Sequence, residues 1–343
     1  IALLTAAATF PLIFMGGLVT SHGAGMSVPD WPNSYGYNMF TFPPSKWVGG
    51  IFYEHTHRLM GVVVGMLAIA LAIAAWRTES RNWARWLCYS VLGAVMFQGA
   101  LGGLRVVLVD IDLAVVHACF AQTFFCLAAG ASIVTSKWWL NAPDLSQSDA
   151  VFAGRRLIFA CAFALVAIYA QLIVGAMMRH YQAGLAVPDF PLAYGQLIPA
   201  TDSAAMQTIN ADRAWNLNLP HVTAAQIWLH MGHRFGAVVV TLALGAAITI
   251  ALRHHRRERE LVRPALLLIA LLLAQITLGV LTVLWRKPAD VASAHVAVGA
   301  LTLVTAFVMT IRASRLYARR RELIACSAMD FDAREVEDRL AAA

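Results

Sequence analysis

The sequence predicts an all-α integral membrane protein: eight transmembrane helices forming two tandem four-helix bundles, related by a pseudo-twofold axis along the membrane normal. Three observations predict it. Composition comes first, because 59% of the 343 residues are hydrophobic, only 13% are charged and the mean hydropathy is +0.65, which excludes a water-soluble globule. Next come eight apolar windows, each close to the roughly 20 residues that a spanning helix needs. Last is an internal repeat whose two copies hold four windows each.

The windows fall at 2–20, 58–76, 86–107, 114–135, 157–178, 233–252, 264–284 and 293–311. The chain starts at Ile1, and its first window taken alone would suit a secretory signal. The repeat aligns that window with the fifth, which argues for a retained helix. Basic residues mark alternate loops: Arg77, Arg81 and Arg85; Lys137, Arg155 and Arg156; Arg253, Arg256, Arg257, Arg259 and Arg263; then Arg312, Arg315, Arg319, Arg320 and Arg321. By the positive-inside rule these loops and both termini face the cytoplasm or matrix, in a bacterial plasma (inner) membrane or a mitochondrial inner membrane.

The same loops account for the net charge of +7 and the pI near 9.4, so no nucleic-acid partner is expected. The chain divides into a first four-helix half (1–136), an inner linker (137–155), a second half (156–312) and a charged tail (313–343). Cys88, Cys119, Cys126 and Cys161 fall within or at the edges of spans and Cys326 in the tail, which leaves no outer-loop disulfide.

The repeat is plainest in the outer loops. Ala24-Gly-Met-Ser-Val-Pro-Asp-Trp-Pro-Asn-Ser-Tyr-Gly36 returns 159 residues later as Ala183-Gly-Leu-Ala-Val-Pro-Asp-Phe-Pro-Leu-Ala-Tyr-Gly195. His57-Arg58 then matches His233-Arg234, Gln98 matches Gln275, and His117 matches His295, at spacings of 176, 177 and 178. Four spans per copy give both copies the same orientation. The prolines flanking Asp30-Trp31 and Asp189-Phe190 rule out regular helix and imply ordered interfacial turns. Turn capping is the favoured role for the two aspartates over ligand contact, and Trp31 suits an interfacial anchor.

His57, His117, His233 and His295 occupy the outer ends of the four even-numbered spans. Ionisable groups in spans are costly and usually face the bundle interior, and four at matching depth are harder to dismiss than one. Facing imidazoles in a four-helix bundle can supply both axial ligands of a haem iron, which pairs His57 with His117 and His233 with His295. Zinc would want cysteine or carboxylate companions in a tetrahedral set, whereas proton relay by these histidines stays open. Arg58 and Arg234 are candidates for haem propionates, with snorkelling to headgroups as the plain alternative.

Glu54-His-Thr-His57-Arg-Leu-Met-Gly61, the Val-Pro-Asp-Trp-Pro loop, Val116-His117, His233-Arg234 and Ala294-His295 together resemble the haem A synthase family over nearly all of the eight-span region. The resemblance implies oxidation of the C8 methyl of haem O to a formyl group, giving haem A. It also implies a substrate haem on His57 and His117 beside a catalytic Glu54, and a permanent haem b on His233 and His295. Implied partners are haem O, a membrane electron-transfer partner, haem O synthase and cytochrome oxidase assembly factors; a homo-oligomer is compatible with it. Some bacterial members carry a cysteine pair in the first outer loop, and residues 21–45 here contain none.

One asymmetry is independent of the resemblance. Glu54 precedes His57 by three residues, on one helical face, whereas the position aligned with it is His230. A partly buried carboxylate there could take a proton or balance developing positive charge, with a structural ion pair to Arg58 as its alternative. His55, on another face, is expected at the interface. A di-haem cytochrome carrying electrons without substrate oxidation would not need the carboxylate, and a transporter would favour midplane charges.

Overall fold

The computed structural model describes residues 1–148 and 150–317. Ten helices run α1 (Ala2–Ser21), α2 (Gly50–Thr78), α3 (Asn82–Val107), α4 (Ile111–Val134), α5 (Lys137–Asn141), α6 (Val151–His180), α7 (Ser203–Trp215), α8 (Ala224–His254), α9 (Arg259–Leu284) and α10 (Ala289–Tyr317) among the described residues. Of these, all except the short α5 and α7 are long and apolar enough to cross a membrane, eight in total. Each overlaps one of the eight windows. α6 begins inside the stretch taken as linker, and α10 continues past 312 to Tyr317. The rest of the charged tail, with Arg319, Arg320, Arg321 and Cys326, lies outside the described residues.

α2 and α8 begin eight and nine residues before their apolar windows. α8 starts with a capping box, in which Thr223 accepts from the Gln226 amide and the Gln226 side chain accepts from Thr223 N–H, satisfying amides that the helix itself leaves free. α4 starts on Asp110, whose carboxylate accepts from Leu113 N–H at 2.8 Å. Counting 1.5 Å per residue, the four histidines therefore lie roughly 9–14 Å in from their helix N-termini, about two turns below the surface.

Each half closes in the same way. α1 packs on α2 and α4 with α3 completing the ring, and α6 packs on α8 and α10 with α9 completing the other. Across the molecule α1 meets α10, α4 meets α6, and α4 meets α10. Cores of Val64, Ala68, Cys88, Phe124 and Ala128 in one half and of Leu157, Ala164, Leu244, Leu268 and Leu303 in the other fill the rings. Since lipid is as apolar as leucine, such contacts stabilise through close packing and interhelical hydrogen bonds. Ser21 and Ser293 bond at 2.9 Å, and Thr123 and Tyr169 at 2.8 Å, both across the seam between halves.

The arginine-rich side carries its own belt. Arg81 pairs with Glu79 at 2.7 Å and Arg312 with Glu260 at 2.9 Å, while Arg81, Arg312 and Arg315 lie over the rings of Trp83, Trp138 and Trp139. Arginine over tryptophan suits an interface where one end of the ring is wet.

Candidate functional site

The two copied loops fold alike. Asp30 accepts backbone N–H bonds from Tyr35 and Gly36 at 2.7 and 2.8 Å, and Asp189 accepts them from Tyr194 and Gly195 at 2.9 and 3.1 Å. Both are turn caps. Tyr35 and Tyr194 donate their hydroxyls to the Ser27 and Ala186 carbonyls, and Gly36 and Gly195 take the left-handed φ of 76° that an L side chain resists. Partial burial pushes the Asp30 carboxyl up, but the Gly36 and Tyr35 amides and the nearby Arg58 outweigh it and hold the group below its ordinary value.

Arg58 latches the first loop to α2, donating to the carbonyls of Val28, Asp30 and Asn33 at 2.7, 2.6 and 2.9 Å. Arg234 does the same from α8, at the matching carbonyls of Val187, Asp189 and Leu192. A planar guanidinium fork suits this many fixed acceptors. Both arginines thus spend donors on the loops.

Beneath each latch the halves part company. Glu54, 4% exposed, accepts from Val28 N–H at 2.9 Å through one oxygen and from Arg58 at 2.9 Å through the other. In the second half Val187 N–H donates to His230 Nδ1 at 3.3 Å. One backbone amide is therefore held by a carboxylate in the first copy and by an imidazole in the second.

Each of the four histidines rests on a glycine. A Cβ built on Gly16, Gly102, Gly175 or Gly279 would stand 3.0–3.1 Å from Cε1 of His57, His117, His233 or His295 respectively, tighter than an ordinary contact. Glutamine amides add a second constraint. Gln98 donates to His117 O at 3.0 Å and lies 3.4 Å from its ring Nε2; Gln171 donates to His233 O at 2.7 Å and lies 3.1 Å from its Nδ1; Gln275 lies 3.3 Å from His295 Nε2. Gln171 reaches its histidine over Gly236, where a Cβ would strike the amide oxygen. The first half has Leu12 and Met60 at those two places.

These residues fit a haem iron held between two imidazoles. His233 and His295 face each other with ring centroids 6.3 Å apart. Two imidazoles bonded at about 2 Å to opposite sides of one metal place their ring centres about 6 Å apart. Nδ1 of His57, His117 and His295 is buried without a hydrogen-bond partner, and a buried polar atom of that kind calls for one. Among the described residues no group of three or more His, Cys, Asp or Glu gathers as a metal cage.

His55 departs from expectation. It is 0% exposed, beneath the first loop, where Nδ1 meets Ser34 Oγ at 3.2 Å and the ring packs on Phe42 and Trp47. It props the loop and does not face the interface, because the loop folds back over α2. The long third outer segment contains α7, capped by Asp202, and is tied down by Arg213, 1% exposed, which donates to Pro220 O, Leu185 O and Tyr194 Oη. The four glycines and Gln171 escaped the sequence reading; for the glycines the signal is that Gly16 and Gly175 are 159 residues apart and Gly102 and Gly279 177 apart, the offsets of the loops and of the glutamines beside them.

Comparison with known proteins gives the arrangement a family. Residues 48–308 match the COX15-CtaA family model, described as cytochrome oxidase assembly protein. Among similar proteins, a protein named "Heme A synthase" from Geobacillus kaustophilus is 27% identical over 304 residues, covering 84% of each chain. Another of that name from Shouchella clausii is 28% identical over 290 residues, covering 83% of this chain and 86% of its own. A third, from Halalkalibacterium halodurans, is 26% identical over 297 residues, covering 86% and 89%. The chain belongs to the COX15-CtaA family of cytochrome oxidase assembly proteins.

Proposed function

We propose that this chain is a haem A synthase, a membrane oxidoreductase that converts the C8 methyl of haem O to the formyl of haem A. His57 and His117 hold the substrate in the first half, and His233 and His295 hold a permanent haem b in the second. The observation that carries the assignment of halves is the exchange of Glu54 for His230 under otherwise matching loops. The related proteins named for haem A synthesis support the activity.

Haem b, when bound, supplies one-electron redox chemistry. The residues supply position and charge. Gly16 and Gly102 let the first pair of rings approach their helices, and Gly175 and Gly279 do so for the second. Gln98 and Gln171 tie down the helix backbone at two of the histidines by donating to the carbonyls of His117 and His233. Glu54 is the buried carboxylate of the substrate half and Arg58 its counter-ion, so the pair can hold negative charge near a substrate edge without a free, unpaired ion. Arg58 and Arg234 serve the haems by fixing the loops above them.

The matched ring packing of the halves supports the pseudo-twofold arrangement, and the arginine-rich loops support termini on the cytoplasmic or matrix side. A membrane electron-transfer partner, haem O synthase and oxidase assembly factors remain the partners implied by this activity.

The test separates an amide acceptor from a charge. Glu54→Gln keeps an oxygen for Val28 N–H and removes the charge paired with Arg58. Purified Glu54→Gln protein should keep its b-type absorbance while haem O conversion falls by about 10²-fold or more. Unchanged conversion overturns the role of Glu54, and the absence of any haem in the wild-type preparation overturns the whole assignment.

A further inference from the structure

Arg58 and Arg234 leave the haem carboxylates to other cations. Salt bridges join Arg58 to Glu54, Arg81 to Glu79 and Arg312 to Glu260. Arg105 and Arg179 belong to none of them. Both stand in the last, outer turn of a spanning helix, one turn beyond a glycine that cradles a histidine: Arg105 follows Gly102 on α3, and Arg179 follows Gly175 on α6.

Their hydrogen bonds leave donors free. Arg105 donates through Nη2 to Gly25 O at 2.9 Å. Arg179 donates through Nη2 to Gly17 O and, at 2.5 Å, to Ser21 Oγ. A guanidinium has five N–H donors, so each fork keeps several for an anion. Arg105 lies in electrostatic reach of His57 and His117, and Arg179 of His295.

The two forks act on one common neighbour. His180 feels both, and Lys287, whose side chain passes Gly184, is held below the ordinary lysine range by burial and by Arg179. The nearby carboxylate of Asp112 is engaged by the Tyr181 hydroxyl at 2.5 Å. The carboxylate that Arg105 feels is Glu54, which is already paired with Arg58; the cluster is therefore net positive, and cations at such a place need a further counter-ion.

We infer that Arg105 and Arg179 bind the propionate carboxylates, Arg105 those of the haem in the first half and Arg179 those of the haem in the second. This rests on the haem-binding role proposed above. Planar carboxylates match a guanidinium fork in two parallel hydrogen bonds, and a haem held by the histidines with its carboxylate edge outward meets these arginines one turn up. The phosphate of an anionic lipid headgroup shares this chemistry, and the test separates the two sources.

Full-length protein, purified in detergent and depleted of haem, is titrated with haem B and with haem B dimethyl ester, which lacks the carboxylates. Wild type should bind the free acid about ten- to a hundredfold more tightly than the ester. Arg105→Gln and Arg179→Gln should each lose a large part of that preference and the double variant nearly all of it. Arg105→Lys should recover part, and Arg256→Gln, at an exposed arginine just beyond the far end of α8, should keep the preference.

Equal binding of acid and ester by wild type, or a full preference in the double variant, overturns the inference while leaving haem binding itself intact. A preference that vanishes on adding phosphatidylglycerol to the micelles assigns the cations to lipid and equally overturns it. Failure of well-folded wild type to bind either compound defeats the functional proposal from which the inference starts. If a glutamine variant misfolds, the lysine variants carry the comparison.

Discussion

Replacing Gly279 by alanine puts a methyl carbon 3.1 Å from Cε1 of His295. Ordinary contact begins at 3.4 Å, so the ring must yield by a few tenths of an ångström. Against a metal–nitrogen bond of about 2 Å, that displacement matters, and disturbing the support of a metal-binding histidine typically costs about 10–100-fold in affinity. The helix itself gains, since alanine is favoured over glycine by about 1 kcal/mol in a helix interior. The expected outcome is therefore a protein whose haem-free form is as stable as wild type but which retains much less haem b. Haem per polypeptide and the reduced-minus-oxidised spectrum measure the loss, with thermal unfolding of the haem-free protein beside them. Gly245→Ala on α8 is the control, because a Cβ there meets nothing within 4 Å. Wild-type haem content in Gly279→Ala, or an equal loss in Gly245→Ala, refutes the cradle.

Two further outcomes concern the loops. Asp30 has a folded-state pKa below its ordinary 3.8, so its contribution is fully present above that value and is lost as pH falls through the lower, folded one. Amide exchange at Tyr35 and Gly36, corrected for intrinsic rate, should show constant protection from neutral pH down to about pH 4 and lose it only below; a loss centred near pH 6 contradicts the aspartate cap. His230→Glu should give Arg234 the ion pair that Arg58 has with Glu54 and retain the acceptor for Val187 N–H. Limited proteolysis of the second loop should slow by about two- to fivefold, in line with a pair worth up to about 1 kcal/mol, and faster cleavage would show that the two latches are not equivalent.

Much of this was legible in the chain because the membrane imposes it. Eight apolar runs and alternating arginine clusters follow from burying backbone polar groups in lipid, and the repeat delivered the histidines in matching positions. Helix starts were less legible. Gly50 and Ala224 begin helices well before the apolar windows at 58 and 233, since polar caps such as Thr223 and Gln226 extend α8 where hydropathy is silent. The site's support was hidden for another reason. A glycine such as Gly102 reads as a helix-packing residue until the ring against it is known, and Gly61, Gly65 and Gly99, which look similar in sequence, meet no atom within 4 Å. Arg58 shows the same limit: its charge suggests an anion, and the anion it meets is Glu54, while three loop carbonyls placed by a turn take its remaining donors in a way the sequence does not signal.

The latches carry an evolutionary consequence. Every bond that Arg58 and Asp30 make to the first loop joins residues of the first half, and every bond that Arg234 and Asp189 make joins residues of the second. Each copy of the repeat thus has a self-sufficient cover. Changes under one cover need no matching change under the other, as expected for distant sites without shared partners. That independence lets a glutamate stand in one copy and a histidine in the other under loops that match bond for bond.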